Sequence, residues 1–559
     1  MTVQDSMPLN HASASSGGIA NWLNVNVRGW QLASLVVALV ALAPIAVVTL
    51  AWLTPTADVW QHLGATVLPE LLRNTGVLLV GVGFGVAVTG VGLGWLVATC
   101  EFPGRRFFDW ALMLPLAVPA YVLAFALIGI FDYSGAFQTQ LRGWFGPAFA
   151  LPPIRSTGGV ILAMVLAFYP YVYMLARTAF LSQGQSMIET GRVYGLTAWQ
   201  SFWRVAVPMA RPAIAAGVAL ALMETLADFG AVSVFNFDTF TTAIYKAWLG
   251  MFNLAAAAQL ASLLLLFVAI GLVAEQRLRG RAQYHLTPKG ARNPRYHLRG
   301  GRALAATLAC ALVFMLAFAL PVGELLVWAV RSMVADFDVR YLRVVANTLA
   351  LSGAAAAVTT FFALLLAYTW RLKPDRLIRG AVRIATLGYA LPGSVLAVGI
   401  MVSFVWLDRQ WLTPMFESIG FGAGPWLAGS LLALLLAYGV RFMAVAYGPV
   451  DSSFERIKPS LWQAARSLGA SNREILWRVS IPLLRGGLFS AGLLVFVEVM
   501  KEMPATLLLR PFGWDTLATR IFEMTSEGEW ERAALPAGTL VLAGLIPVIL
   551  LVRRSAGSR

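Results

Sequence analysis

The sequence predicts an all-α membrane protein with about twelve transmembrane helices in two parallel six-helix repeats. Three observations predict it. Of 559 residues, 59% are hydrophobic and only 12% charged, and mean hydropathy is +0.73; a soluble chain cannot bury that much apolar surface. Apolar runs of about 20 residues recur, long enough to cross roughly 30 Å of hydrocarbon as helices. One polar segment occurs twice, as ETGRVYGLTAWQSFWRVAVP from Glu189 to Pro208 and as QAARSLGASNREILWRVSIP from Gln463 to Pro482. Within it Arg192 matches Arg466, Gly195 matches Gly469 and Pro208 matches Pro482, because 466 − 192, 469 − 195 and 482 − 208 all give 274.

Taken in order, residues 1–30 are polar and rich in Ser, Gly and Asn, and are expected to form a disordered cytoplasmic lead. The apolar run 31–53 follows Arg28. It exceeds the about 7–15 residues of a signal-peptide core and is expected to stay as the first helix. Five further spans complete the first repeat (31–274), at 74–99, 107–131, 158–180, 213–233 and 256–274. Gly81, Gly85, Gly90 and Gly94 crowd the second span, a spacing suited to close helix packing. Pro115 and Pro119 in the third span and Pro392 in the ninth are expected to kink their helices. The second repeat (303–555) carries spans at 303–330, 345–370, 381–407, 425–447, 486–507 and 534–552.

Loop charges set the orientation. The linker 275–302 has eight basic residues, Arg277, Arg279, Arg281, Lys289, Arg292, Arg295, Arg299 and Arg302, against Glu275 alone. The segment 371–383 has Arg371, Lys373, Arg376, Arg379 and Arg383 against Asp375, whereas 515–532 is rich in acids. An excess of Lys and Arg marks cytoplasmic loops, which puts the linker, both termini and both copies of the repeated segment inside. The linker is expected to lie on the anionic lipid surface. The repeat extends further: Asn74-Thr75 matches Asn347-Thr348 and Pro119 matches Pro392 at an offset of 273, and Glu224 matches Glu498 at 274. Both copies start and end on one side, so they are parallel.

Charges within the spans are the candidate pathway residues. Glu224 and Asp228 are four apart on the fifth span, facing one side of a helix and close to the midplane; Glu498 and Glu502 repeat that spacing on the eleventh, with Lys501 beside them. A charge at such depth costs several kcal/mol unless it meets water or a partner. Glu224, Asp228, Glu498, Lys501 and Glu502 are therefore expected to line a translocation pathway or to form structural ion pairs. Carboxylate oxygens suit a hard cation, and suit a protonated amine equally well. Cys100 and Cys310 and the four histidines offer neither a disulfide framework nor a fixed metal site. There is no GxxxxGK[ST] phosphate loop, so the chain is expected to perform no catalysis and to bind no cofactor. The net charge of +15 belongs to loops at the lipid surface, and no nucleic-acid partner is expected.

The repeated segment resembles the EAA signature of ABC-type import permeases: Glu-Ala-Ala, a Gly four residues on, and Ile/Leu-Pro a dozen later. The first copy keeps Glu189, Gly195 and Pro208 but lacks the alanines; the second keeps Ala464, Ala465, Gly469 and Pro482 but has Gln463 in place of glutamate. The stretches Glu224–Gly230 and Lys501–Phe512 look like segments of the fused two-domain permeases of ferric-iron importers. The resemblance implies a type I ABC importer permease fold in a bacterial inner membrane. It implies two ATP-binding cassette ATPase subunits docked at Glu189, Arg192, Gly195 and Pro208 and at Gln463, Ala464, Ala465, Arg466, Gly469 and Pro482. ATP is used by those partners, and a periplasmic or lipid-anchored solute-binding protein docks outside. Permeases for thiamine, phosphonates and polyamine-like solutes are built similarly. An ion-driven twelve-helix secondary carrier is the rival of another class.

Overall fold

The twelve expected spans fall on helical segments, four of them (107–131, 213–233, 381–407 and 486–507) interrupted, in the computed structural model, which describes residues 16–54, 60–61, 63–193, 195–279, 295–420 and 424–557. Among those residues ten helices are long and apolar enough to cross a membrane. They are α1 (Arg28–Leu53), α2 (Leu63–Thr99), α4 (Thr157–Ser182), α5 (Trp199–Ala227), α6 (Leu254–Ala274), α7 (Gly301–Val334), α8 (Val339–Leu372), α9 (Gly393–Ser418), α10 (Leu431–Glu455) and α11 (Asn472–Met500). The third position, α3, is a pair, Arg105–Ala117 and Ala120–Phe131, bent by 100° at the break between them. The last helix, α12, runs Trp530–Gly557.

The breaks have chemical causes. Pro119 and Pro392 are the caps of the helices that follow them, with φ, ψ of −57°, 143° and −57°, 140°. Proline lacks the N–H that a continuing helix needs, so the expected kinks are full breaks. In the second repeat, Arg376–Thr386 forms a separate helix, joined through a short turn to α9. The expected continuous span 381–407 is corrected accordingly. The N-terminal lead is also corrected in part: helix begins at Ser16 and runs into α1, while residues 1–15 lie outside the described ones.

The second-span glycines act as their spacing suggests. A Cβ on Gly81, Gly85 or Gly90 would sit 2.6 Å from Ile161, 2.3 Å from Val165 or 2.6 Å from Val172. α4 therefore lies directly on the backbone of α2. Bulky apolar side chains such as Leu39, Val80, Phe84 and Leu304 point outward and are more than half exposed, as lipid-facing residues must be.

The halves exchange their first helices. α1 packs on the second repeat: Gln31 donates to Asp375 at 3.2 Å, and Trp30 meets Tyr368 edge-on at 5.3 Å. A Cβ on Gly399 would lie 2.5 Å from the Pro44 carbonyl. α7 packs reciprocally on the first repeat, with Trp328 against Gly129 and Phe314 edge-on to Phe107 at 5.3 Å.

Of the linker, residues 280–294 lie outside the described ones. Tyr296 and His297 form a short parallel ladder with Cys100 and Glu101, and Arg295 pairs with Glu101 at 3.2 Å.

Candidate functional site

Both copies of the repeated segment fold as helix–turn–helix. In the first, the helix Thr157–Val193 extends to the turn. In the second, a separate helix, Pro459–Ser467, precedes it. Gly195 and Gly469 sit at the turns with φ of +66° and +84°, a region glycine enters without steric cost. A Cβ at either position would meet nothing within 4 Å. The requirement for glycine is thus conformational and does not come from crowding.

The sequence reading missed a second repeated device in this segment. Thr197 and Gln200 exchange hydrogen bonds at 3.3 and 3.0 Å, as Ser471 and Glu474 do at 3.3 and 2.9 Å. The offset is again 274, from 471 − 197 and 474 − 200. These reciprocal caps start the second helix of each turn. The signal was present as T-x-x-Q and S-x-x-E. Pro208 and Pro482 stand where π-helical turns, Phe202–Ala206 and Ile475–Ser480, pass into the α-helical stretches Val207–Ala227 and Ile481–Met500. Proline lacks the N–H of a regular helix interior, and a widened turn precedes it in both copies. Gln463, Ala464 and Arg466 are exposed and Ala465 half-buried; the side chains of Glu189 and Arg192 lie outside the described residues. Val193, Trp199, Leu468 and Trp477 are 82%, 66%, 88% and 59% exposed. That apolar surface stands beside the turns.

The acids of the two repeats converge on one cavity of about 110 Å³. It is lined by equivalent positions of both halves: Leu116 and Tyr389, Ala167 and Arg441, Phe168 and Phe442, Glu224 and Glu498, Ala227 and Lys501, Asp228 and Glu502. The first pair is offset by 389 − 116 = 273 and the others by 274. A cavity lined this way straddles the pseudo-twofold axis that relates the halves.

The expectation that Glu224 and Asp228 share one helical face is corrected. The helix ends at Ala227, and Asp228 has left it at φ −68°, ψ 132°. The Asp228 carboxylate instead accepts from the Ala231 and Val232 amides at 2.9 and 3.2 Å, capping the helix Gly230–Val234. Glu502 does the same for Pro504–Leu509 through the Ala505 amide at 3.1 Å. The expected spans 213–233 and 486–507 are thus each broken at these capping acids. The cause is backbone chemistry: a helix restarting inside the bundle has orphan N–H groups that need an acceptor. Glu224 and Glu498, each one turn earlier, remain helical and face the cavity at the end of α5 and α11 remote from the turns at Gly195 and Gly469.

The four acids differ in their partners. Glu498 is paired with Lys501 at 2.8 Å and Glu502 with Arg441 at 3.2 Å. The structural ion-pair expectation is thus realised for Lys501. Glu224 has no ion pair among the described residues and accepts from the Tyr389 hydroxyl at 3.1 Å. Arg441 and Tyr389 were not singled out from sequence. Arg441 is the one charged residue in 425–447, and an isolated charge in a span was the available signal. The repeated Asn-Thr pair also gains a reason: Asn74 donates to the Asp238 carbonyl at 2.9 Å and Asn347 to the Asp515 carbonyl at 3.3 Å. These bonds tie the loop beyond each broken span to the second helix of its repeat.

A duplicated bundle with two matching turns on one face and a shared polar cavity between its halves defines a multi-pass transport permease. Residues 90–280 and 359–556 each match the family described as binding-protein-dependent transport system inner membrane component, and the chain belongs to that family. It is 27% identical over 490 residues to the Fe(3+)-transport system permease protein FbpB 2 of Haemophilus influenzae, covering 87% of this chain and 90% of that one. It is 24% identical over 518 residues to the ferric transport system permease protein FbpB of Actinobacillus pleuropneumoniae, covering 88% and 72%. A solved bacterial alginate ABC transporter, in complex with its alginate-bound periplasmic protein, has a chain that aligns with 44% of this one and 91% of its own length at 18% identity and a TM-score of 0.35.

Proposed function

We propose that this chain is the pore subunit of an ATP-driven importer for ferric iron, with both termini and both docking turns in the cytoplasm. One ATPase subunit seats on each turn, and a solute-binding protein delivers iron to the opposite face. The observation that carries this reading is the direct joining of each docking turn to the helix that ends at the shared cavity. The turn at Gly195 leads through Pro208 to Glu224, and the turn at Gly469 leads through Pro482 to Glu498. A push on either turn is transmitted along a rigid helix to an acid.

Charge supports a cation as cargo. The cavity has four carboxylates and two bases, and both bases are already paired with acids. Oxygen donors without sulfur or imidazole suit a hard, highly charged ion. Iron here is cargo, held weakly in passage.

The test is uptake of radiolabelled ferric iron into vesicles containing the permease, its ATPase and its binding protein. ATP-dependent uptake of iron, but not of thiamine or molybdate, is expected. Ion-gradient-driven uptake without ATP would establish a secondary carrier instead.

A further inference from the structure

The shared cavity is covered by aromatic rings on the side away from the docking turns. Phe229 follows the capping acid Asp228 and lines the cavity. It packs on Tyr245 at 5.1 Å and on Phe522 at 5.3 Å between ring centroids. Tyr245 and Phe522 meet each other edge-on at 6.0 Å and 75°.

Tyr245 and Phe522 are equivalent positions of the two repeats. Their offset, 522 − 245 = 277, also relates Asp238 to Asp515 and the capping Thr239 to Thr516. Two positions related by a twofold axis touch only where they lie on it. The pair therefore stands on the axis that passes through the cavity. Beyond it, Phe522 borders a second cavity of about 350 Å³, lined by residues including Arg155, Asn236, Ser526, Glu527 and Trp530. The three rings lie between the two spaces, and Phe229 is only 3% exposed.

We infer that Phe229, Tyr245 and Phe522 form the outer closure of the solute pathway; this rests on the transport reading above. The covalent and hydrogen-bonded connections fit that role. Phe229 is the second residue past the end of α5, and the Thr241 hydroxyl donates to the Asp228 carbonyl at 2.7 Å. The helix Phe240–Tyr245 is thereby fastened to the same break. A shift of α5 moves Phe229 and Tyr245 together, while Phe522 stays with the other half. The closure parts between the halves. Ring contacts of this kind are individually weak, so they exclude water at rest and separate without breaking an ion pair.

The test introduces Ala227→Cys in the inner cavity and Ser526→Cys in the outer one. The native Cys100 and Cys310 are buried. The full complex, in right-side-out vesicles without ATP, is treated from outside with an impermeant cationic methanethiosulfonate. Ser526→Cys is expected to react in every background and Ala227→Cys slowly. Adding Phe522→Ala, alone or with Tyr245→Ala, is expected to raise the Ala227→Cys rate about tenfold or more, as when an open population grows from about one in a hundred to one in ten. The ring-preserving pair Tyr245→Phe and Phe522→Tyr keeps the slow rate and separates gating from general loosening. Fast labelling with the rings intact, or an unchanged rate without them, overturns the closure. Protection of Ser526→Cys overturns its placement on the outside. ATP-driven iron uptake in the same vesicles reports on the transport reading separately, because labelling requires no transport.

Discussion

Tyr389 of the second repeat donates its hydroxyl hydrogen to Glu224 of the first, across the pseudo-twofold axis, at 3.1 Å. Its counterpart, Leu116, has no group to offer Glu498, which turns to Lys501 instead. The cavity is symmetric in position and asymmetric in charge.

The two equivalent glutamates should therefore not be interchangeable. Glu224→Gln removes one of the two cavity acids, with Asp228, that pair with no base among the described residues, and is expected to lower iron uptake about tenfold, the worth of one charge-assisted hydrogen bond. Glu498→Gln frees Lys501 to repel the cargo, and Glu498→Gln with Lys501→Met should recover much of the lost uptake. Uptake per permease in vesicles measures both; a double variant no better than Glu498→Gln alone would refute the assignment.

Arg441 and Glu502 are both largely buried, at 11% and 5% side-chain exposure. Removing one member of such a pair strands the other, at a cost of about 3–5 kcal/mol. Arg441→Ala should lower the melting temperature of the purified protein sharply. Glu502→Gln should restore it in part, since an amide oxygen still caps Ala505. Equal melting temperatures for Arg441→Ala and the unaltered protein would contradict the pairing.

At the docking turns the demand is for a positive φ with free space around it. Gly469→Asn should therefore hold its ATPase nearly normally, because asparagine tolerates the left-handed region. Gly469→Val should release it, being β-branched and strained there. Co-purification of the ATPase from detergent decides. Equal retention by both variants would show that the turn does not depend on backbone conformation.

Topology has its own check. Ala291→Cys, in the basic linker, should resist impermeant thiol reagents in intact cells and react once the membrane is permeabilised. Labelling in intact cells would invert the orientation.

Much of this molecule was legible in its sequence because membrane spans announce themselves by length and the repeat by register. The helical segments at the twelve expected positions, the glycine turns at 195 and 469 and the convergence of Glu224 with Glu498 on one cavity all follow from those two signals. The breaks at Asp228 and Lys501 did not, because apolar continuity through 213–233 and 486–507 outweighs the local stop signals. Those signals were Gly230 after an Asp and Pro504 after a Glu, each placing a capping acid before a restarted helix. Arg441 escaped for another reason: its partner Glu502 is 61 residues away in sequence, from 502 − 441, and no periodicity links them.

The exchanged first helices impose an order on biosynthesis. Gln31 and the Asp375 that it bonds are 344 positions apart. At about 5–20 residues per second, roughly 17–70 s separate their emergence from the ribosome. Throughout that interval α1 has only its first-repeat contacts, such as Trp52 on Trp60 and Ser262, until α8 and α9 arrive. α7 is made after the helices that receive it and docks at once. Assembly thus closes from the second half back onto the first helix, and a nascent chain truncated before α8 would leave Trp30 and Gln31 without Tyr368 and Asp375.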